Sequence, residues 1–517
     1  MKQHGIYLLV FTVIFAISYQ MIFDSKLDLN GDNCNYISLA KNISNGLGYS
    51  IITPDGNVPA SHYPPGYSAF LSIFMFLGIN NLIFFKILNG LFLYLSIIGL
   101  YYLTDKITGN RNLALVTVVL AALSPQVLHF SNIVMSEMLF LFTSVLCLIA
   151  LYQYSRNTKN KKFWLSPWFY MVVVSVAFAY YLRTVGVALL FAILVFYLFR
   201  KEWMQAIGSF TGFILLILPW IIRDKINGIE SRYFGTIMTV NPWRPEEGTI
   251  STFGELIKKM ITNFDETVIK GFKEILFPFI EINYQEPSNI LQVIFGFIIL
   301  ALIFYGAWSL KPLRWAIIAY LVGQIGLFML WHGGNGSRYV VPIAPLITVC
   351  FYVGIYSLAS LKIKSSSKST VYLPYSFLII GLLIFPKIKA QSEEVKKPFP
   401  PPYENYFTIA KEMEKQVPKG TVCCCRKPEL FNYFAPDVFT VGYLYTTESD
   451  KLIQDLINKK VDYVVLEQLG FSSTGRYLYP ALMANQDLFV VTWQLDNPDT
   501  YLLKFNREKA IEKLNAK

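Results

Sequence analysis

The sequence predicts an all-α polytopic membrane domain of about eleven transmembrane helices, followed by a small C-terminal α/β domain. Three observations carry this. The 517 residues are 54% hydrophobic and only 15% charged, whereas a soluble domain carries roughly a quarter charged residues. The apolar residues fall in blocks of roughly 20, the length that crosses a bilayer. The Lys and Arg behind the net charge of +11 sit in short clusters between those blocks: Arg156 to Lys162, Arg200 with Lys201, Lys311 with Arg314, and Lys362 to Lys368. That is the positive-inside pattern of a membrane protein, and it argues against a nucleic-acid-binding face.

Taken in order, the blocks are 6–22, 82–103, 113–130, 138–154, 167–182, 185–199, 205–222, 290–309, 314–331, 339–361 and 372–388. The first lacks a small-residue cleavage site and reads as a span, not a removed signal. Placing the basic clusters inside makes the N-terminus cytoplasmic. The loops 23–81 and 223–288, the turns at Glu137, Arg183 and 332–338, and the tail then share the outer side. The membrane domain is drawn as 1–390. Within 253–278, Leu256, Met260, Ile261 and Phe264 recur at helical spacing with Lys258, Lys259 and Asp265 between them. This predicts amphipathic helices lying on the membrane.

The tail changes in kind. Pro398–Pro402 is a hinge. A helix over 406–417, a strand over 421–425, a helix over 449–459 and strands over 461–466, 488–494 and 500–505 predict a small α/β domain at 403–517. The six cysteines include the run Cys423, Cys424, Cys425 but show no C-x-x-C spacing, so zinc and thioredoxin-like chemistry lack support. Cys423 and Cys425 share a strand face with apolar neighbours, which favours packing over redox chemistry. No glycine-rich phosphate loop opens either helix.

Charges buried mid-span would mark a transport pathway; they are nearly absent. Asp32, His62, Glu137, Arg183, Arg223, His332 and Arg338 instead gather at one membrane edge, which suits an enzyme acting on a lipid head group. Asp32 opens a helix carrying Tyr36, Leu39, Ala40 and Ile43 at helical spacing. It can serve as a helix cap and as a general base at once, since a helix N-terminus favours the ionised carboxylate. In Ser61-His62-Tyr63-Pro64-Pro65-Gly66-Tyr67 the prolines and glycine fix a turn. His62, Tyr63 and Tyr67 are candidates for head-group hydrogen bonds, with interface anchoring an equal alternative for Tyr67. Glu137 also fits a plain helix N-terminus, and Arg223 fits snorkelling to the interface.

Gly31-Asp32 with Tyr36 and Ala40, Gly46-x-Gly48-Tyr49 and Tyr63-Pro64-Pro65-Gly66-Tyr67 together resemble the first outer loop of the GT-C membrane glycosyltransferases. The likeness is to the protein mannosyltransferase and aminoarabinose transferase group (glycosyltransferase family 39-like). Ser136-Glu137, Leu182-Arg183 with Gly186, Pro219-Trp220-x-x-Arg223 and Arg338-Tyr339-x-x-Pro342-x-x-Pro345 resemble its later patterns. The likeness covers about 1–350 and not the tail. Members often carry Lys or His directly before the proline pair, where this chain has Tyr63, and several have Asp-Glu where it has Asp32-Asn33.

The resemblance implies a polyprenyl-phosphate-linked sugar donor and a hydroxyl acceptor on a lipid, glycan or protein. It implies Asp32 as general base with Glu137 as its acidic neighbour, and substrate contacts from His62, Tyr63, Tyr67, Arg183, Arg223, His332 and Arg338. Arginine suits the leaving phosphate. No cofactor is fixed, and two acidic residues also suit a divalent metal. The implied setting is the membrane lipid of a bacterial inner (plasma) membrane, with site and tail extracytoplasmic. A polysaccharide or lipid transporter, and a polymerase or ligase of lipid-linked glycans, are the alternatives; the 223–288 loop keeps the second open.

Overall fold

The computed structural model describes residues 2–157, 162–230, 233–331, 333, 336–361 and 368–516. The chain divides into two compact units. The first comprises Met1–Leu27, Ser61–Ile237 and Ser251–Lys396; the second comprises Asp28–Ala60, Met238–Ile250 and Lys397–Lys517. The second unit therefore joins two loop pieces, 28–60 and 238–250, to the tail, a grouping that differs from the 1–390 and 403–517 division drawn from sequence.

In the first unit, every apolar block falls on a helix or a bent helix pair. Among the described residues, six helices are long and apolar enough to cross a membrane: Leu82–Thr108, Glu137–Asn157, Trp203–Ile226, Ile290–Ser309, Val341–Ser360 and Val371–Glu394. Arg111–Ala122 and Pro125–Ser131 count as a seventh if taken as one span bent by 64°. Gly5–Met21, Pro167–Leu182, Thr184–Phe199 and Arg314–Leu330 are apolar but shorter. Length therefore singles out six or seven of the blocks read as about eleven spans.

Local chemistry sets the breaks. Asn81 accepts hydrogen bonds from Ile83 and Phe84 N–H and starts the first long helix; left-handed Gly109 ends it, and Asn110 caps the next. Pro125 at a helix start makes the bend. Helices Ile290–Ser309 and Ala344–Ser360 meet through glycines: a Cβ on Gly306 would overlap the Cys350 carbonyl, and one on Gly354 the Leu302 carbonyl. Small residues permit such close backbone approach between apolar helices. Trp203–Ile226 turns Ile207 and Leu215 outward, and Ile290–Ser309 turns out Ile290 and Leu291, faces suited to lipid. Among the charges that fall within these helices, Lys86 lies near the start of Leu82–Thr108. Lys86 is buried, and its ammonium donates to the carbonyls of Asp24, at 2.7 Å, and Lys26. Buried charge is tolerable when hydrogen-bonded.

The predicted amphipathic segment is helical in three pieces. Phe253–Phe264 starts with a Thr252–Glu255 capping box, continues as a π-helix over Asp265–Lys270 and ends as Gly271–Leu276. Phe253 and Ile261 are exposed apolar side chains on it.

The second unit contains helix Asp32–Ser44 and an antiparallel hairpin, β1 (Ser50–Thr53) with β2 (Gly56–Pro59). It also holds a five-stranded sheet of β3 (Val422–Cys424), β4 (Phe439–Val441), β5 (Tyr463–Leu466), β6 (Phe489–Leu495) and β7 (Thr500–Phe505), in the order β4-β3-β5-β7-β6. The first three strands pair in parallel and β7 and β6 antiparallel. Helices Pro401–Gln416, Ser449–Asn458 and Arg507–Asn515 complete the α/β tail. Cys424, Leu452, Leu456, Val464 and Leu503 form its core. Cys423, Cys424 and Cys425 are all buried with free thiols, and burial pushes the Cys423 and Cys424 thiols well up. That is the inert, packed state.

Candidate active site

Two clusters, one in each unit, collect the candidate residues. In the first unit, helix Glu137–Asn157 begins at Glu137. Its side chain is 1% exposed, and Arg183 Nη1 lies 2.7 Å from its Oε1. Arg338 Nε lies 3.8 Å from the same oxygen, and Arg183 Nη1 also donates to Ser136 Oγ at 3.3 Å. Arg183 follows the last residue of helix Pro167–Leu182 in an extended conformation, and Arg338 sits in the tight turn Gly336–Tyr339. A buried carboxylate normally demands such pairing. Two guanidiniums around one carboxylate leave an excess positive charge that an anion can balance.

The Pro-Pro-Gly motif supports this cluster from behind. Gly66 starts helix Gly66–Phe76, and a Cβ on it would stand 2.7 Å from the Tyr181 backbone, two residues before Arg183. Gly186 similarly lets the turn after Arg183 fold onto the Ala179–Tyr180 backbone. Tyr67 is fully buried and donates to Asn89 Oδ1 at 3.1 Å. Asn89 in turn donates to the Ile133 carbonyl at 2.5 Å. Tyr67 thus ties the motif to the segment before Glu137. His62 is exposed, edge-on to the Tyr63 ring at 4.5 Å.

Arg223 takes different partners. It pairs with Asp224 at 2.7 Å and lies over the Trp220 ring at 4.5 Å, the arrangement expected of an interfacial arginine. His332 lies outside the described residues.

In the second unit, Asp32 is the first residue of helix Asp32–Ser44, and the capping position is Gly31 at φ 99°. Gly31 N–H donates to Asn33 Oδ1 at 3.2 Å, and Asn33 Nδ2 donates to the Asp28 carbonyl. A Cβ at Gly31 would collide with the Glu429 carboxylate, so glycine serves here both the backbone angle and the close approach. Lys427 Nζ donates to the Asn30 carbonyl at 2.6 Å and stands 3.9 Å from Glu429. Burial raises the Glu429 carboxyl, with Lys427 opposing and Asp32 adding to the rise. Burial likewise lowers the Lys427 ammonium. Beside them, Arg426 stacks on Phe471 at 4.3 Å and donates to Ser473 Oγ at 2.6 Å.

Sequence reasoning passed over Lys427 and Glu429. They flank Pro428 in a tail that no motif covers, and nothing local marks their place beside the Asn30–Asp32 turn. Among the described residues no group of three or more His, Cys, Asp or Glu is gathered as a metal site would need.

A family profile for dolichyl-phosphate-mannose-protein mannosyltransferase matches residues 59–229. That stretch includes His62, Tyr63, Tyr67, Glu137, Arg183 and Arg223, and leaves out Asp32 and Arg338. No curated protein matches the chain in sequence. Among solved structures, the archaeal oligosaccharyltransferase AglB from Archaeoglobus fulgidus, in complex with an inhibitory peptide and a dolichol-phosphate, is similar over 90% of this chain and 69% of its own, at 12% identity and a TM-score of 0.58. ArnT from Cupriavidus metallidurans, bound to undecaprenyl phosphate, is similar over 97% of this chain and 98% of its own, at 12% identity and a TM-score of 0.57. The chain is an integral membrane protein that shares the fold of these membrane glycosyltransferases, and its residues 59–229 match the dolichyl-phosphate-mannose-protein mannosyltransferase family model.

Proposed function

We propose that this protein transfers a sugar from a polyprenyl-phosphate donor to a hydroxyl of a lipid, glycan or protein on the extracytoplasmic face of a bacterial plasma membrane. The observation that carries the reading is the buried Glu137 held by Arg183 and Arg338. The carboxylate pairs with Arg183 and stands within ion-pair reach of Arg338 before any ligand arrives, and their surplus charge suits the phosphate that leaves with the lipid. The ArnT and AglB structures were obtained with lipid phosphates, which supports the same donor chemistry here.

Asp32 is the general base in this reading. The attacking hydroxyl loses its proton to the Asp32 carboxylate as its oxygen bonds the anomeric carbon. The carbon–oxygen bond to the phosphate breaks through an oxocarbenium-like state. The electron pair of that bond goes to the phosphate, which Arg183 and Arg338 stabilise. Glu137 is a positioning residue for the arginines. Arg223, with its own partner Asp224, stays outside the phosphate contacts.

The test is a glycan and glycolipid profile of a strain lacking the protein, restored with the wild-type chain or with Asp32→Asn. One sugar-bearing product disappears on deletion and returns only with the wild type. A full return with well-expressed Asp32→Asn overturns the role of Asp32, and an unchanged profile on deletion overturns the function.

A further inference from the structure

The first unit holds a cavity of about 590 Å³ between Pro125–Gln126, the segment from Glu274 to Tyr284, and the end of helix Leu378–Glu394. None of the candidate residues named from sequence lines it. We infer that this cavity binds the ring of an uncharged or amino-bearing sugar and excludes phosphate; the inference rests on the glycosyl-transfer reading above.

Size comes first. Small-molecule sites span roughly 300–1,000 Å³, so the cavity fits one or two sugar rings and is too small for a polyprenyl chain. Its polar chemistry is one-sided. Gln126 Nε2 donates to Glu274 Oε1 at 2.7 Å, and the Tyr284 hydroxyl donates to Glu274 Oε2 at 2.5 Å. These bonds fix the Glu274 carboxylate and use the donors around it. The buried amide oxygens of Gln126 and Gln391 have no hydrogen-bond partner among the described residues. Both residues line the cavity. Buried acceptors call for donors, and sugar hydroxyls or an amino group supply them.

Charge points the same way. Among the described residues, Glu274, Glu281 and Glu394 line the cavity against a single cation, Lys387, so a phosphate entering it would be repelled. Burial and the Glu274 charge hold the Tyr284 phenol protonated, so it acts as a donor. The Tyr284 ring also lies 3.4 Å from the Cβ position of Gly336, two residues before Arg338. Within this unit the Tyr284 side of the cavity therefore packs against the turn Gly336–Tyr339 that carries Arg338. A lipid-phosphate sugar, or a neutral glycan acceptor, would be sorted by charge between them.

Donor sugar and acceptor glycan share this chemistry, and one experiment separates them. Full-length Gln391→Leu and Glu281→Lys are returned to the deletion strain, with Lys311→Gln as a control remote from the cavity. Glu281 is exposed, so its replacement leaves the packed core intact. Losing hydrogen bonds to charged or buried acceptors predicts a fall of roughly tenfold or more in the sugar product, at wild-type protein level in the membrane. Full product from both cavity variants overturns the inference. The purified variants are then reconstituted in nanodiscs with a lipid extract of the deletion strain. Release of free sugar to water that persists in the variants assigns the cavity to the acceptor, and its loss assigns it to the donor. A failure of the glycosyl-transfer reading shows itself separately, as a deletion that removes no sugar product.

Discussion

Arg183 Nη1 lies 2.7 Å from Oε1 of a Glu137 side chain that is 1% exposed. Arg338 Nε reaches the same oxygen at 3.8 Å. In a low-dielectric setting such contacts are stronger than in water, and the pairing costs an incoming anion no reorganisation. The carboxylate also explains why two arginines can be held close together without mutual repulsion dominating. In the proposed reading, Glu137 therefore links stability to donor binding.

Arg183→Lys separates charge from shape. Lysine keeps the positive charge but loses the planar fork. The expected outcome is a well-folded protein with donor use lowered by roughly tenfold, seen as a raised donor KM in a lipid-donor assay. Glu137→Gln removes the shared partner and is expected to destabilise the first unit by about 3–5 kcal/mol, read as a lower melting temperature in detergent. Unchanged donor use in Arg183→Lys would remove the fork from the mechanism.

Asp32→Asn preserves side-chain shape and a hydrogen-bonding oxygen at the first turn of helix Asp32–Ser44. Loss of a general base lowers rates by roughly 100-fold or more. We expect a drop in kcat of that order with the melting temperature nearly unchanged. A variant that melts far lower would instead assign Asp32 to the helix start, where dipole and charge also favour it.

The membrane blocks were legible because apolar length is a local property. Their breaks were legible where a residue type carries a backbone angle or a cap, as Asn81, Gly109 and Pro125 do. Arg183 and Glu137 were both named from sequence, yet their pairing brings together a turn and a helix start that lie far apart along the chain, which no local pattern encodes. The bond from Arg183 to Ser136, the residue before Glu137, joins the same two elements and was equally hidden. Tyr67 is fully buried and bonded to Asn89, a placement that neither head-group bonding nor interface anchoring predicts from the Pro-Pro-Gly turn alone, because the partner lies on another helix. Lys427 and Glu429 were invisible because their meaning comes from the Asn30–Asp32 turn, nearly four hundred residues away in sequence.

Gly66→Ala tests the support behind Arg183. The added methyl would stand 2.7 Å from the Tyr181 backbone, and backbone cannot yield as a flexible side chain does. Overpacking of this kind costs roughly 1–3 kcal/mol. The expected result is a lower melting temperature together with weakened donor binding, because the displaced segment leads directly into Arg183. A normal donor KM in a destabilised Gly66→Ala protein would show that the motif supports the fold alone.

Glu429→Gln yields a pH signature with a definite sign. Burial raises the Glu429 carboxyl above its ordinary value of 4.5, so the folded chain binds that proton more tightly than the unfolded one. The stability this contributes is fully present below the unfolded value and is lost as pH rises through the folded one. Glutamine never ionises, so the variant escapes that loss. Melting wild type and variant side by side in detergent, the variant should gain relative stability as pH climbs past 4.5, and the gain should level off once wild-type Glu429 is ionised. Lys427, 3.9 Å away, works against the gain by favouring the ionised carboxylate. A variant less stable than wild type at neutral pH, with no growth of the difference across the acid range, would mean that the Lys427 pairing outweighs burial at this position.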